Sequence, residues 1–137
     1  MGVGLRLPEW AGPDDADAII DLIGERIDLG PLWAPRPDLV AAVIRDADGI
    51  VAVLMMRPDP EHEAVIFEQM EARRENDHAT IAGMRGMYAL DVWARQLARE
   101  MGAKRVIAPV QTNNHPQKVA MRKLGYSDDV HLFVKEL

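Results

Sequence analysis

The segment from Gly83 to Val110 constrains the fold more than any other part of the chain. Met87, Leu90, Ala94, Leu97 and Met101 recur at spacings of three and four, which predicts a helix from Gly83 to Met101 with these residues facing a core. Asp91, Arg95 and Arg99 are expected on its outer face, the first two as an i, i+4 ion pair. Gly102 stands where a helix commonly ends in a left-handed residue, and Lys104 to Val110 reads as a buried strand. A strand, a long helix and a second strand joined by short turns need a crossover, so the two strands run parallel.

The residues before this unit read as an antiparallel meander. Val40 to Arg45 and Ile50 to Met56 flank the turn Asp46-Ala47-Asp48-Gly49, where the glycine suits a positive φ. Arg57-Pro58-Asp59-Pro60 reads as a second turn. Ala64 to Arg73 follows as a central strand, with Val65, Phe67 and Gln69 on one face and Ile66, Glu68 and Met70 on the other. Arg74 to Thr80 is expected to be a polar loop. Upstream, Val3 to Leu7 alternates as a short strand, and Pro13-Asp14-Asp15 opens a helix with an aspartate as N-cap. Ala16, Ile19, Ile20, Ile23 and Ile27 share a face of that helix, which Gly30-Pro31 stops. Pro31 to Asp38 is an ordered loop or a short second helix. Downstream, Asn114 caps a helix through Leu124, and Val130 to Glu136 is the last strand. The expectation is one α/β domain over residues 1–137, with a mixed sheet.

Composition excludes several chemistries. The chain has no cysteine, so disulfides, thiolate metal sites and a cysteine nucleophile are ruled out, and its single serine, Ser127, lies outside any nucleophile-elbow pattern. His62, His78, His115 and His131 show neither metal-ligand spacing nor a neighbouring carboxylate motif, so no metal site is expected. There is no apolar run long enough to span a membrane and no signal-peptide pattern, which gives a cytoplasmic protein as the expectation. The formal charge of −6 is unevenly spread: residues 1–64 hold 13 acids and 5 bases, whereas residues 65–127 hold 6 acids and 10 bases. An anionic ligand is therefore expected on the second half. Nucleic acid is not an expected partner, given the net charge, an aromatic content of 5% and the lack of a reader motif.

The element order, together with Asn114, Lys123, Leu124, Gly125 and Tyr126, resembles the GCN5-related N-acetyltransferase (GNAT) family. The resemblance implies a mostly antiparallel sheet with one parallel pair, splayed between the fourth and fifth strands, and about four helices. It further implies acetyl-CoA in the split and acyl transfer from the thioester to an amine. The family's pyrophosphate loop, (Gln or Arg)-x-x-Gly-x-(Gly or Ala), falls over Ala82 to Met87. There Ala82, Arg85 and Met87 replace the motif residues, and Gly83, Gly86 and Arg85 remain as a looser cradle, with Asn114 on the family asparagine. The family tyrosine that protonates the leaving thiolate is replaced by Met121, whose thioether cannot donate a proton. Tyr88 is a substitute, or an ordinary core-edge residue. Glu68 and Glu71 are the candidates for the base that deprotonates the amine, expected on opposite faces of their strand.

Two readings follow. In the first, the departures mark a catalytically degenerate relative that acts as a binding or structural component of a larger assembly, including a phage particle put together in the cytoplasm. Its partners would be other proteins or further copies of the chain, with the eight methionines and Trp10, Trp33 and Trp93 as apolar material for an interface. In the second, the chain is an acetyl-CoA-dependent N-acetyltransferase with an atypical loop and a small-molecule amine as acceptor.

Overall fold

A computed structural model describes residues 5–23, 40–76, 78–109, 122–124, 127–129 and 132–137. The strands are β1 (Glu9–Trp10), β2 (Val40–Asp46), β3 (Gly49–Asp59), β4 (Ala64–Ala72), β5 (Arg74–Glu75), β6 (His78–Ala79), β7 (Arg105–Pro109), β8 (Ser127–Asp129) and β9 (Leu132–Glu136). The helices are α1 (Ala16–Ile23) and α2 (Ile81–Glu100), and short 3-10 turns occupy Pro13–Asp15 and Pro60–His62. Seven strands form one sheet in the order β1-β2-β3-β4-β7-β9-β8, and β5 and β6 make a separate small hairpin. Only the β4–β7 pair is parallel among the described strands, as the crossover argument requires.

The two faces of the sheet are covered by different helices. Ala42, Ile44, Leu54, Met56, Val65, Phe67 and Met70 pack with Leu90, Ala94 and Ala98 of α2. Ala41, Val43, Val53 and Met55 pack with Ile19 of α1 on the other side. Alternation along β2 and β3 sends neighbouring residues to opposite layers. Burying a side chain such as Leu90 contributes about 2 kcal/mol.

The hairpin turns where expected, with Gly49 at φ 123° and the Asp48 N–H donating to the Asp46 carboxylate at 2.8 Å. Several other expectations are corrected. Of the expected strand Val3 to Leu7, Val3 and Gly4 lie outside the described residues and Leu5 to Leu7 is not strand; the first described strand is Glu9–Trp10, although Arg6 N–H already donates to the Arg45 carbonyl. Gly12, not an aspartate, caps the first turn, because the Asp15 carboxylate turns back to accept from the Gly12 N–H. On α1, Ile19 is fully buried while Ile20 is exposed, since successive helix residues point about 100° apart and only one of the two can face the sheet.

β3 runs straight through the expected turn at Arg57-Pro58-Asp59, and the chain reverses at Pro60–His62 with Glu63 in the left-handed region. On β4 a bulge shifts the register, with Met55 opposite Gln69 but Met56 opposite Phe67. The extra residue, Glu68, breaks the alternation, so Met70 joins Val65 and Phe67 in the α2 layer instead of siding with Ile66. The polar stretch before α2 contains the β5–β6 hairpin, with Asn76 at φ 53°.

The inward face of α2 is also different from the predicted stripe. Gly83, Gly86, Leu90, Asp91, Ala94 and Ala98 are buried, whereas Met101 is exposed. Small residues face the sheet because the helix lies close upon it: a Cβ on Gly86 would stand 2.7 Å from Val51 Cγ2 and 2.8 Å from Ile44 Cγ2. Asp91, expected in solvent, is fully buried and accepts from Arg95 Nε at 2.8 Å. Trp10 and Trp93 meet edge to face at 5.1 Å, joining β1 to α2. The expectations for Ile27, residues 31–38, Trp33, Asn114, Met121, Gly125, Tyr126, His115 and His131 lie outside the described residues.

Candidate functional site

The parallel pair is fastened at one end, and its pairing ends partway along β4 among the described residues. Ala64, Val65 and Ile66 pair with Arg105, Val106 and Ile107. Lys104 N–H donates to the Glu63 carbonyl at 2.7 Å, and the Lys104 ammonium lies 2.8 Å from the Glu63 carboxylate, which is held below the usual carboxylate range by that ion pair. Beyond Ile66 the pairing stops among the described residues: Ala108 and Pro109 continue against β9, while β4 runs on to Ala72 beside β3 alone. The bulge at Glu68 sits where the strands part, and a bulge twists its strand away from its neighbour. Among the described residues, the second half of β4 therefore has no hydrogen-bonded strand on the side away from β3.

Two carboxylates lie on this unpaired half. Glu68 is ion-paired with Arg57. Glu71 is buried, accepts from Gln69 Nε2 at 2.8 Å and stands 3.9 Å from Arg74 Nη2. The expectation that they occupy opposite faces does not hold. Glu71 is opposite Val53, and Arg57 shares the face of β3 that carries Val53 and Met55, so both carboxylates are held on the α1 side of the sheet.

The N-terminus of α2 follows directly from this end of β4 through the small hairpin. Thr80 is its N-cap, the hydroxyl accepting from Gly83 N–H at 2.9 Å, and Thr80 itself donates to the Arg73 carbonyl. Arg73 ties the end of β4 down: its guanidinium donates to Asp46 at 3.1 and 3.3 Å and to the Ile50 carbonyl at 2.9 Å. Burial pushes the Asp46 carboxyl up, but the Arg73 guanidinium and the N–H groups of Asp48 and Gly49 outweigh it and hold the group below the usual carboxylate range.

Of the expected cradle, Gly83 and Gly86 are buried against the sheet and Arg85 is exposed one turn into the helix. A Cβ on Gly83 would come within 2.7 Å of the Arg73 carbonyl, so the glycine is required by the packing of helix on strand. With Gly83 N–H given to Thr80 and Met84 N–H closing the first turn, the N–H groups of Ile81 and Ala82 remain at the helix mouth. Tyr88 points outward and is 60% exposed. Thr80, Gln69, Arg57 and Arg73 were not singled out by sequence. Of these only Thr80 carries a readable signal, a threonine immediately before an apolar-periodic run.

His62, which spacing left without a carboxylate, is hydrogen-bonded to Asp59 at 2.7 Å, and Glu61 completes a group whose ligand atoms lie within 4.8 Å of one another. That group is at the fastened end of β4, away from its second half. Among the described residues no helix is long and apolar enough to cross a membrane.

No protein-family model matches the chain, and no curated protein matches its sequence. Solved structures do. A probable acetyltransferase from Staphylococcus epidermidis superimposes with a TM-score of 0.75 at 13% identity, covering 96% of this chain and 98% of that one. The PaiA N-acetyltransferase of Thermoplasma acidophilum, solved in complex with coenzyme A, gives 0.70 at 9% identity over 97% and 99%. Nourseothricin acetyltransferase gives 0.70 at 22% identity over 90% and 84%. The chain has the fold of the GNAT acetyltransferases, as its element order implied.

Proposed function

We propose that this protein binds an acyl-CoA in the gap between β4 and β7 and passes the acyl group to an amine. The observation that carries the reading is the loss of β4–β7 pairing after Ile66 and Ile107, beside the bulge at Glu68. A pantetheine arm is an extended chain with two amide groups, which is the shape and hydrogen-bonding pattern that an unpaired strand edge accepts. Two solved neighbours of this fold were obtained with coenzyme A bound.

The α2 N-terminus supplies the positive end of a helix dipole and the N–H groups of Ile81 and Ala82 for the diphosphate, with the exposed Arg85 as an added cation. Glu71 is the base in this reading. Glu68 is engaged by the Arg57 guanidinium in a direct hydrogen bond, whereas Glu71 is buried on the same strand, oriented by the Gln69 amide, with the Arg74 guanidinium farther off at 3.9 Å. The amine nitrogen attacks the thioester carbonyl, Glu71 takes its proton, the C–S bond breaks, and that proton returns to the departing thiolate. The products are an amide and free CoA.

A second reading, binding or assembly without turnover, is favoured by one observation: the two glycines left from the family loop are filled by Arg73, Val51 and Ile44 rather than kept open for a ligand. Calorimetric titration with acetyl-CoA tests the first reading. Saturable binding in the micromolar range is expected, and no heat up to millimolar ligand would exclude it. Acetylation of a polyamine and aminoglycoside panel by the binding-competent protein then separates transfer from binding alone.

A further inference from the structure

The outward faces of α1 and α2 are opposite in charge, and each carries apolar side chains with nothing described upon them. On α2, Ile81 (71% exposed), Met84 (55%), Tyr88 (60%) and Val92 (42%) follow one another at spacings of three, four and four, so they form one stripe. Arg85 and Arg99 lie along that stripe, and no exposed acid interrupts it. On α1, Ile20 (45% exposed) stands between Asp17 and Asp21, both exposed, and no base lies within its described residues, Ala16–Ile23. Asp17, Asp21 and Arg85 have no ion-pair partner among the described residues. The same polarity runs through the whole sequence, acidic before residue 65 and basic after it.

We infer that a second copy of this chain covers the α2 stripe, presenting its α1 face to it; Ile81 and Arg85 stand at the helix end that the acyl-CoA reading gives to the diphosphate, so the second copy and acyl-CoA exclude each other there. Complementary charge selects this partner. Because α1 and α2 cover opposite faces of the sheet, one pair of molecules cannot make both contacts by a two-fold axis. The contact is heterologous, head to tail, and leaves a free α1 face at one end and a free α2 face at the other, so it builds short chains or rings. A helix laid on a short helix is a small interface, which makes the association concentration-dependent and screened by salt.

Sedimentation velocity of the full chain over a wide concentration range, at about 0.02 M and about 0.5 M salt, reads this out. The weight-average sedimentation coefficient is expected to rise with concentration at low salt and to fall back at high salt. Two charge-reversed proteins are then compared, one carrying Arg85→Glu with Arg99→Glu, the other Asp17→Lys with Asp21→Lys. Each alone is expected to associate at least about tenfold more weakly, and an equimolar mixture of the two to associate again, since the exchanged charges match. Recovery on mixing also shows that neither protein has simply misfolded, and Tyr88→Glu, at a solvent-facing position, tests the apolar stripe separately. A monomer at every concentration overturns the inference, as does association that persists in both charge-reversed proteins. Retention on anionic vesicles or on DNA, lost with Arg85→Glu and Arg99→Glu while the protein stays monomeric, overturns it in favour of those partners.

Discussion

Arg73 reaches from the end of β4 across β3 to Asp46, at the start of the hairpin turn, with two guanidinium–carboxylate contacts of 3.1 and 3.3 Å. The pair holds the strand end from which α2 departs. Because it is charge-assisted and largely withdrawn from water, removing one partner leaves the other poorly satisfied. Asp46→Asn is expected to cost about 1–3 kcal/mol, measured as a shift in urea midpoint with an unchanged slope.

The same pair sets an acid limit. Asp46 and Asp15 are both held below the ordinary carboxylate range despite burial, Asp46 chiefly by Arg73 and Asp15 by the Gly12 N–H and Arg45. Carboxyls lowered by folding contribute stability that is fully present above their unfolded values, about 4, and is lost as pH falls through the folded ones. Stability is therefore expected to be level near neutrality and to decline from about pH 4 downward. Asp46→Asn should flatten that decline, and an acid slope identical to the parent's would count against the pair.

Gly86→Ala and Gly83→Ala set helix propensity against space. Alanine favours a helix by about 1 kcal/mol over glycine, yet the new methyl at position 86 meets Val51 and Ile44 below 3 Å, and at position 83 it meets the Arg73 backbone. Both are expected to lower the melting temperature, with a net loss of about 1–3 kcal/mol. Position 83 is the worse, since a strand backbone yields less than a side chain. A more stable Gly83→Ala protein would mean that α2 sits farther from β4.

Thr80→Ala removes the hydroxyl that accepts from Gly83 N–H. The expected cost is about 1 kcal/mol by thermal unfolding. In the acyl-CoA reading, affinity for acetyl-CoA should hold or rise slightly, because another N–H is then free at the helix mouth.

Glu71→Gln keeps the shape of the side chain and removes the base. In the same reading, kcat for acetyl transfer should fall on the order of a hundredfold or more while calorimetric affinity for acetyl-CoA changes little. Glu68→Gln, which removes the carboxylate charge facing Arg57, should have the smaller effect on kcat. The reverse order would move the base to Glu68.

The architecture was legible in the sequence because it rests on local rules. Periodicity marked the long helix, a glycine and aspartates marked the hairpin, and the strand-helix-strand order required the parallel pair whichever side chains filled the core. What stayed hidden depended on neighbours distant in sequence. The bulge at Glu68 arises between β3 and β4, so no count along β4 could show that Met70 changes face or that Glu68 and Glu71 share one. Gly83 and Gly86 read equally well as a phosphate cradle or as contact points, and only the proximity of Arg73, Val51 and Ile44 decides for contact. Asp91 reads as a solvated helix residue until α2 is laid on the sheet and buries it. Sequence alone determined the central meander, the long helix and the parallel crossover that follows it. The tertiary structure decided which face of the sheet each side chain takes, because a register shift of one residue, or a helix an ångström closer to its sheet, exchanges inside for outside without altering any local pattern.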